Sequence, residues 1–238
     1  MYQKQLISKE RVAAHGEVYT SEREVKAMLD LVKSETERVD SRFLEPACGR
    51  GNFLIEVLRR KLNMAKKNAM PPRKKSIIPA EYEKQSFIAV SSIYGVDILL
   101  DNVLECRKVL FKLWNDFYND TCNTRPNIDC SEAIKFVIDC NIICGNALSL
   151  KKVDEQCKDT DDPIVFSEWT FVTGDRLQRK ELRFDMILSG QYEPKILKES
   201  TKLGQVDMFT TEKDFINSEG EVLSTYISHY KSIHKNGK

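Results

Sequence analysis

Three short apolar runs each end on a polar side chain close to glycine. They are RFLE at 42–45, SIYGVD at 92–97, and NIIC at 141–144 followed by Gly145 and Asn146. Helical spacing fills the stretches between them. Residues 20–38 place Val25, Met28, Leu29 and Val32 on one face, with Thr20 or Ser21 as cap and Glu24 positioned for a capping box. Residues 52–62 align Phe53, Leu54, Val57 and Leu58, and residues 98–116 align Val103, Cys106, Leu110 and Leu113. A polar loop at 121–130 leads into a further helix at 131–139. The alternation of helix and strand predicts a parallel sheet with crossover helices.

Two regions break the pattern. Residues 61–86 hold three of the seven prolines and a basic cluster at Arg73, Lys74 and Lys75. They read as an inserted surface loop flanked by helical turns, its basic cluster either solvated or in contact with phosphate. Farther on, extended segments flank Thr173, Gly174 and Asp175, which predicts a β-hairpin. Its Trp169 and Phe171, near Arg176, Arg179, Lys180 and Arg183, are either a basic-aromatic nucleic-acid surface or an aromatic face packed inward. Residues 190–238 have no clear core face and read as a polar docking tail. The expected division is a ligand-binding α/β domain at 1–155 with its insertion at about 61–90, a hairpin extension of the sheet edge at 156–190, and the tail at 191–238.

Composition narrows the class. The 238 residues carry a net charge of +1, so whole-chain charge does not advertise nucleic-acid binding. No apolar run approaches the roughly 20 residues of a membrane helix, and the N-terminus lacks a signal-like apolar core. Seven cysteines at irregular spacing, no CxxC pair and three histidines argue against a zinc site and fit reduced thiols. A cytoplasmic location is expected, with no membrane partner and no metal.

The ends of the apolar runs suggest chemistry. In an open parallel sheet, ligands bind beyond the carboxyl ends of the strands. Glycine there lets the backbone turn tightly and approach a ligand. In LEPACGRGNFL, Glu45 precedes Gly49 and Gly51 at the mouth of a helix, so the stretch is either a ligand loop or a plain tight turn. It does not match the GxGxxG fingerprint or a phosphate-binding P-loop. Asp97 suits two ribose hydroxyls or a helix N-cap, and both can hold at once. Glu45, Asp97 and Asn146 together would form one row above the sheet.

HGEVYTS, LEPACGRGNFL, YGVDILLDNV and CGNAL occur in that order. They resemble motifs X, I, II and III of the N6-adenine DNA methyltransferases of restriction–modification systems, over roughly residues 11–150. The resemblance implies an α/β, Rossmann-like S-adenosylmethionine-dependent methyltransferase fold, here with an incomplete parallel sheet, a β-hairpin and a C-terminal tail. It implies S-adenosyl-L-methionine as cofactor, bound by Tyr19, Thr20, Glu45, Pro46, Ala47, Cys48, Gly49, Gly51, Asn52, Phe53, Asp97, Ile98, Asn146 and Ala147. Tyr19 and Thr20 would border the methionine moiety, and Glu45, Gly49 and Gly51 its amino and carboxylate ends. Asn52 and Phe53 would line the pocket. Asp97 would take the ribose, Ile98 would pack on the adenine, and Asn146 would face its amino group, where the family usually has Asp. Ser21 stands where motif X usually has proline.

The family's catalytic Asn/Asp-Pro-Pro-Tyr motif is missing. The nearest string, FDMILSGQY from Phe184, starts like FDxIxxNPPY but lacks the Asn/Asp and both prolines. This half-set resembles one chain of a split methyltransferase. A second subunit would then carry NPPY and DNA recognition, and double-stranded DNA would be held mainly by it. No catalytic residue is expected here. The alternatives are a decayed, inactive remnant, or a methyltransferase-like fold with another substrate or a structural role.

Overall fold

Glu45, Asp97 and Asn146 each close one strand of a single sheet. The computed structural model describes residues 20–71, 76–189 and 222–235. Strands β1 (Phe43–Glu45), β2 (Ile93–Asp97) and β3 (Ile142–Asn146) lie side by side and parallel, in that order. Helices α1 (Glu22–Asp30) and α2 (Lys33–Thr36) precede β1. Helices α3 (Asn52–Asn68) and α4 (Pro79–Ser91) connect β1 to β2, and α5 (Leu100–Cys122) and α6 (Ile128–Asn141) connect β2 to β3. Beyond β3, two antiparallel strands, β4 (Lys151–Val153) and β5 (Asp159–Pro163), make the sheet mixed and five-stranded. The chain is therefore α/β and compatible with a Rossmann-like arrangement. Among the described residues no strand pairs with the free side of β1.

Alternation along the strands assigns the two faces. Phe43, Ile93 and Ile142 join the helices in one core that includes Leu54, Leu58, Leu62, Phe87, Leu110, Trp114 and Ile134. Burying each such side chain stabilises by about 1.5–3 kcal/mol. On the other face Val96 and Ile143 meet Ile164, Phe166 and Phe184. The cover on that side is thus strand β6 (Val165–Thr173) and the short helix α7 (Phe184–Leu188). It does not extend fully over β1: Leu44, in register with Tyr94, is 41% exposed.

A second, antiparallel sheet contains β6, β7 (Arg176–Arg183) and β8 (Val222–His229), and a 3₁₀ turn (Tyr230–Lys235) follows. The expected hairpin forms, with Thr173 opposite Arg176 and Gly174 at φ +57°. The FDMIL string is α7 and not a strand beside β1. Phe184 is buried beneath it, and the Arg183 guanidinium donates to both oxygens of Asp185.

Several expectations are corrected. The region 61–86 is not a loop, because α3 continues to Asn68 and α4 begins at Pro79. Leu54, Leu58, Leu62 and Ala65 form one buried stripe that lysines and asparagines obscure. Pro79 starts a helix rather than breaking one, since the first turn has no N–H to lose. The helix expected over 20–38 is interrupted at Leu31 and Val32, although the Ser21–Glu24 capping box forms. The 121–130 loop shrinks to a short link: α5 runs to Cys122, and Asn127 caps α6 by accepting from Cys130 N.

The end of the presumed tail is folded. Tyr230 and Ile233 are buried. Glu83 of α4 accepts from Tyr118 Oη at 2.8 Å and Tyr230 Oη at 2.7 Å, and pairs with Lys231 Nζ at 2.6 Å. Residues 190–221 lie outside the described residues, as do Tyr19, His15 and the basic cluster at 73–75.

Lys61 of α3 is fully buried. Its Nζ lies within hydrogen-bonding reach of the main-chain oxygens of Arg38, Val39 and Ser41 and of Ser92 Oγ. It thereby joins the approaches to β1 and β2. Burial lowers its pKa to about 7.

Candidate functional site at the strand ends

The loop after β1 is held from beneath and from the side. Cys48 N donates to Val96 O at 2.9 Å, so the loop crosses the top of β2. Gly49 and Gly51 have φ of +51° and +93°, a region that L side chains rarely adopt. Gly51 is also confined by α5: a Cβ there would lie 2.8 Å from Cys106 Sγ. As N-cap of α3 it provides no side-chain cap, so the first main-chain N–H groups of the helix are not taken by a capping side chain.

Asp97 is the junction. Its Oδ2 accepts from Gly49 N at 2.9 Å. Its Oδ1 accepts from Leu99 N at 2.9 Å and from Asn102 Nδ2 at 3.2 Å. The capping role and a contact to the glycine loop are thus both present. Asn102, which sequence reasoning missed, is buried and also accepts from Arg50 Nε at 3.4 Å. Its signal was its place in the first turn after the acid.

Glu45 has a different environment. It is half-buried, and burial pushes its carboxyl above the usual range. Among the described residues its hydrogen-bond partner is Ala47 N, at 3.3 Å from Oε1. Such a carboxylate suits a cation that supplies charge and donors together. Thr20 lies against the start of α3, its carbonyl accepting from Asn52 Nδ2 at 3.4 Å. Pro46 and Ala47 are exposed, Cys48 is buried, and Phe53 packs partly against the main core.

Asn146 ends β3 as expected, but its amide serves its own turn. Oδ1 accepts from Leu148 N at 3.0 Å and Ser149 N at 3.4 Å, and Nδ2 donates to Asp159 Oδ1 at 2.9 Å. This is the local bonding that asparagine commonly makes at turns. Ala147 packs against the second-face cluster. The carbonyl of Ile98 accepts from the thiols of Cys144 and Cys157.

The remaining candidates are engaged elsewhere. Trp169 and Phe171 pack edge-on against Phe87, so the hairpin's aromatic face is turned inward. Arg179 stacks over Phe136, Trp169 and Tyr226. An open groove lined by Arg60, Asn63, Lys66, Lys67 and Met70 lies toward the far end of α3 and includes no strand-end residue. Among the described residues no group of three or more His, Cys, Asp or Glu is placed to hold a metal ion, and no helix is long and apolar enough to cross a membrane.

The strand ends therefore combine a half-buried carboxylate, a helix N-terminus and a second carboxylate tied to a glycine loop. By charge type, the first suits a cation and the second an anion. Compared with family models, curated proteins and solved structures, the chain finds no match.

Proposed function

We propose that this chain is the S-adenosylmethionine-binding subunit of a split DNA adenine-N6 methyltransferase, with the NPPY motif and DNA recognition on a partner chain. The observation that carries the reading is the arrangement of Glu45, Asp97 and Asn146 at the ends of three adjacent parallel strands, with Asp97 bonded to Gly49. The resemblance of the four motifs in the sequence gives that row its meaning.

The chemistry of Glu45 and of the α3 N-terminus supports that cofactor. Glu45, half-buried and, among the described residues, accepting from Ala47 N at 3.3 Å, would accept from the ammonium of the methionine moiety. The first N–H groups of α3 would meet its carboxylate, as helix N-termini do for anions. Asp97 would exchange main-chain donors for ribose hydroxyls, and Ile98 would pack on the adenine. Thr20 would border the methionine end, with Tyr19 beside it. When bound, S-adenosylmethionine supplies a methyl group for transfer to an amino nitrogen. This chain's part is to bind and orient the donor. Presenting the adenine falls to the partner.

The side of β1 that no strand covers among the described residues, with the exposed Leu44, supports a docking place for that partner. An unpaired edge strand presents main-chain donors and acceptors to another chain. A strand leading into NPPY and lying against β1 would bring the target base next to Glu45 and Gly49.

A second reading, a decayed remnant or a structural protein, draws on Asn146, whose amide is taken up by Leu148, Ser149 and Asp159. Radiolabelled methyl transfer to adenine-containing DNA separates the two. The split enzyme methylates only when this chain and an NPPY-bearing partner are combined. The remnant never does.

A further inference from the structure

Cys144 belongs to β3, and Cys157 to the turn between β4 and β5. Their sulfurs converge on one acceptor: Ile98 O lies 3.7 Å from Cys144 Sγ and 3.5 Å from Cys157 Sγ. Both are free cysteines and both are partly exposed. Cys157 also has φ +59°, a conformation uncommon outside glycine, asparagine and aspartate. The turn holds it there. Asp154 N donates to Lys158 O at 2.9 Å, and Cys157 N donates to Asp154 O at 3.0 Å. Asp154 Oδ1 accepts from Gln156 N and Lys158 N, both at 2.9 Å. Glycine would occupy this position with less strain. A cysteine held there has its thiol directed at the Ile98 carbonyl that Cys144 also meets.

We propose that Cys144 and Cys157 are a redox-active pair that closes to an intramolecular disulfide under oxidising load, fastening the β4–β5 turn to the end of β3. In a reducing compartment the pair stays as two thiols, as regulatory intracellular pairs do. Oxidised glutathione serves as oxidant. The Cys157 thiolate attacks one glutathione sulfur, forming a mixed disulfide and releasing one glutathione thiolate. The Cys144 thiolate then attacks the Cys157 sulfur and releases the second. Two cysteine thiols are oxidised to one disulfide, and one glutathione disulfide is reduced to two thiols that carry off both protons. Burial, and then the proximity of Cys157 and Asp97, push the Cys144 thiol up, so it ionises less readily and reacts second. The pairing holds whether or not the strand ends bind S-adenosylmethionine.

The test uses the full chain in glutathione buffers of increasing oxidation, quenched by alkylation, digested with trypsin and read by tandem mass spectrometry. The expected product joins peptide 136–151 to peptide 153–158 with the loss of two hydrogen masses. Fragment ions should place the bridge on Cys144 and not on Cys140. Cys144→Ser and Cys157→Ser should each abolish it. Cys157→Gly keeps the turn in a comfortable conformation, so it should match the wild-type circular dichroism and form no bridge. Persistent glutathione adducts without a bridge, both thiols left unmodified, or a bridge from Cys157 to another cysteine would each overturn the proposal.

Discussion

One carboxylate oxygen of Asp97 accepts the main-chain N–H of Gly49 at 2.9 Å, joining the end of β2 to the loop after β1. The other accepts from Leu99 N and Asn102 Nδ2, which joins the same carboxylate to the start of α5. Hydrogen bonds to a charged group contribute about 1.5–3 kcal/mol each. Asp97→Ala is therefore expected to lower unfolding free energy by at least one such increment in urea titration. Asp97→Asn, which keeps one acceptor oxygen, should lose less.

Gly51 combines φ +93° with a neighbouring sulfur that a Cβ would meet at 2.8 Å. Residues forced into such backbone conformations cost about 1–3 kcal/mol. Gly51→Ala should destabilise by that order in thermal or urea unfolding. Adding Cys106→Ala removes the collision but not the backbone strain, so the double variant should recover only part of the loss.

Glu83 gathers the C-terminal segment. Burial alone would raise its carboxyl, but Lys231, Tyr230 and Tyr118 outweigh it and hold it below the usual range. An unfolded glutamate titrates near about 4.3. The contribution is complete above that value and fades as pH falls through the lower folded one. Glu83→Gln should cost about 1.5–3 kcal/mol at neutral pH. It should also flatten the acid limb of a stability–pH profile recorded by urea unfolding.

Lys61 acts in the opposite pH direction. Its pKa is about 7 in the folded chain, against about 10.4 for an unfolded lysine. Between those values the unfolded chain holds a proton that the folded chain has released, so stability rises with pH across that window. Urea unfolding from neutral to mildly alkaline pH should show the rise in the wild type. Lys61→Met should lack it.

The strand ends were legible because their signals are local. An acid or amide after a short apolar run, with glycine beside it, marks Glu45, Asp97 and Asn146 without knowledge of distant partners. The second half of α3 was hidden because Lys61 reads as a surface residue, while its four oxygen partners lie at Arg38, Val39, Ser41 and Ser92. The same holds for the closing turn. Nothing near Tyr230 reveals that its hydroxyl reaches Glu83, far back along the chain. The bond from Asn146 Nδ2 to Asp159 depends on the β4–β5 strands, which the polar sequence at 151–163 does not advertise.

Whether the chain binds S-adenosylmethionine is measured by isothermal titration of the full chain, with parallel assays of methyl transfer to DNA. Saturable one-to-one binding is expected, abolished by Asp97→Ala and weakened at least tenfold by Glu45→Ala, in variants whose circular dichroism is unchanged. No methylation is expected until an NPPY-bearing partner is added. Absence of binding both alone and with that partner, or methylation by this chain alone, would contradict the split-enzyme reading.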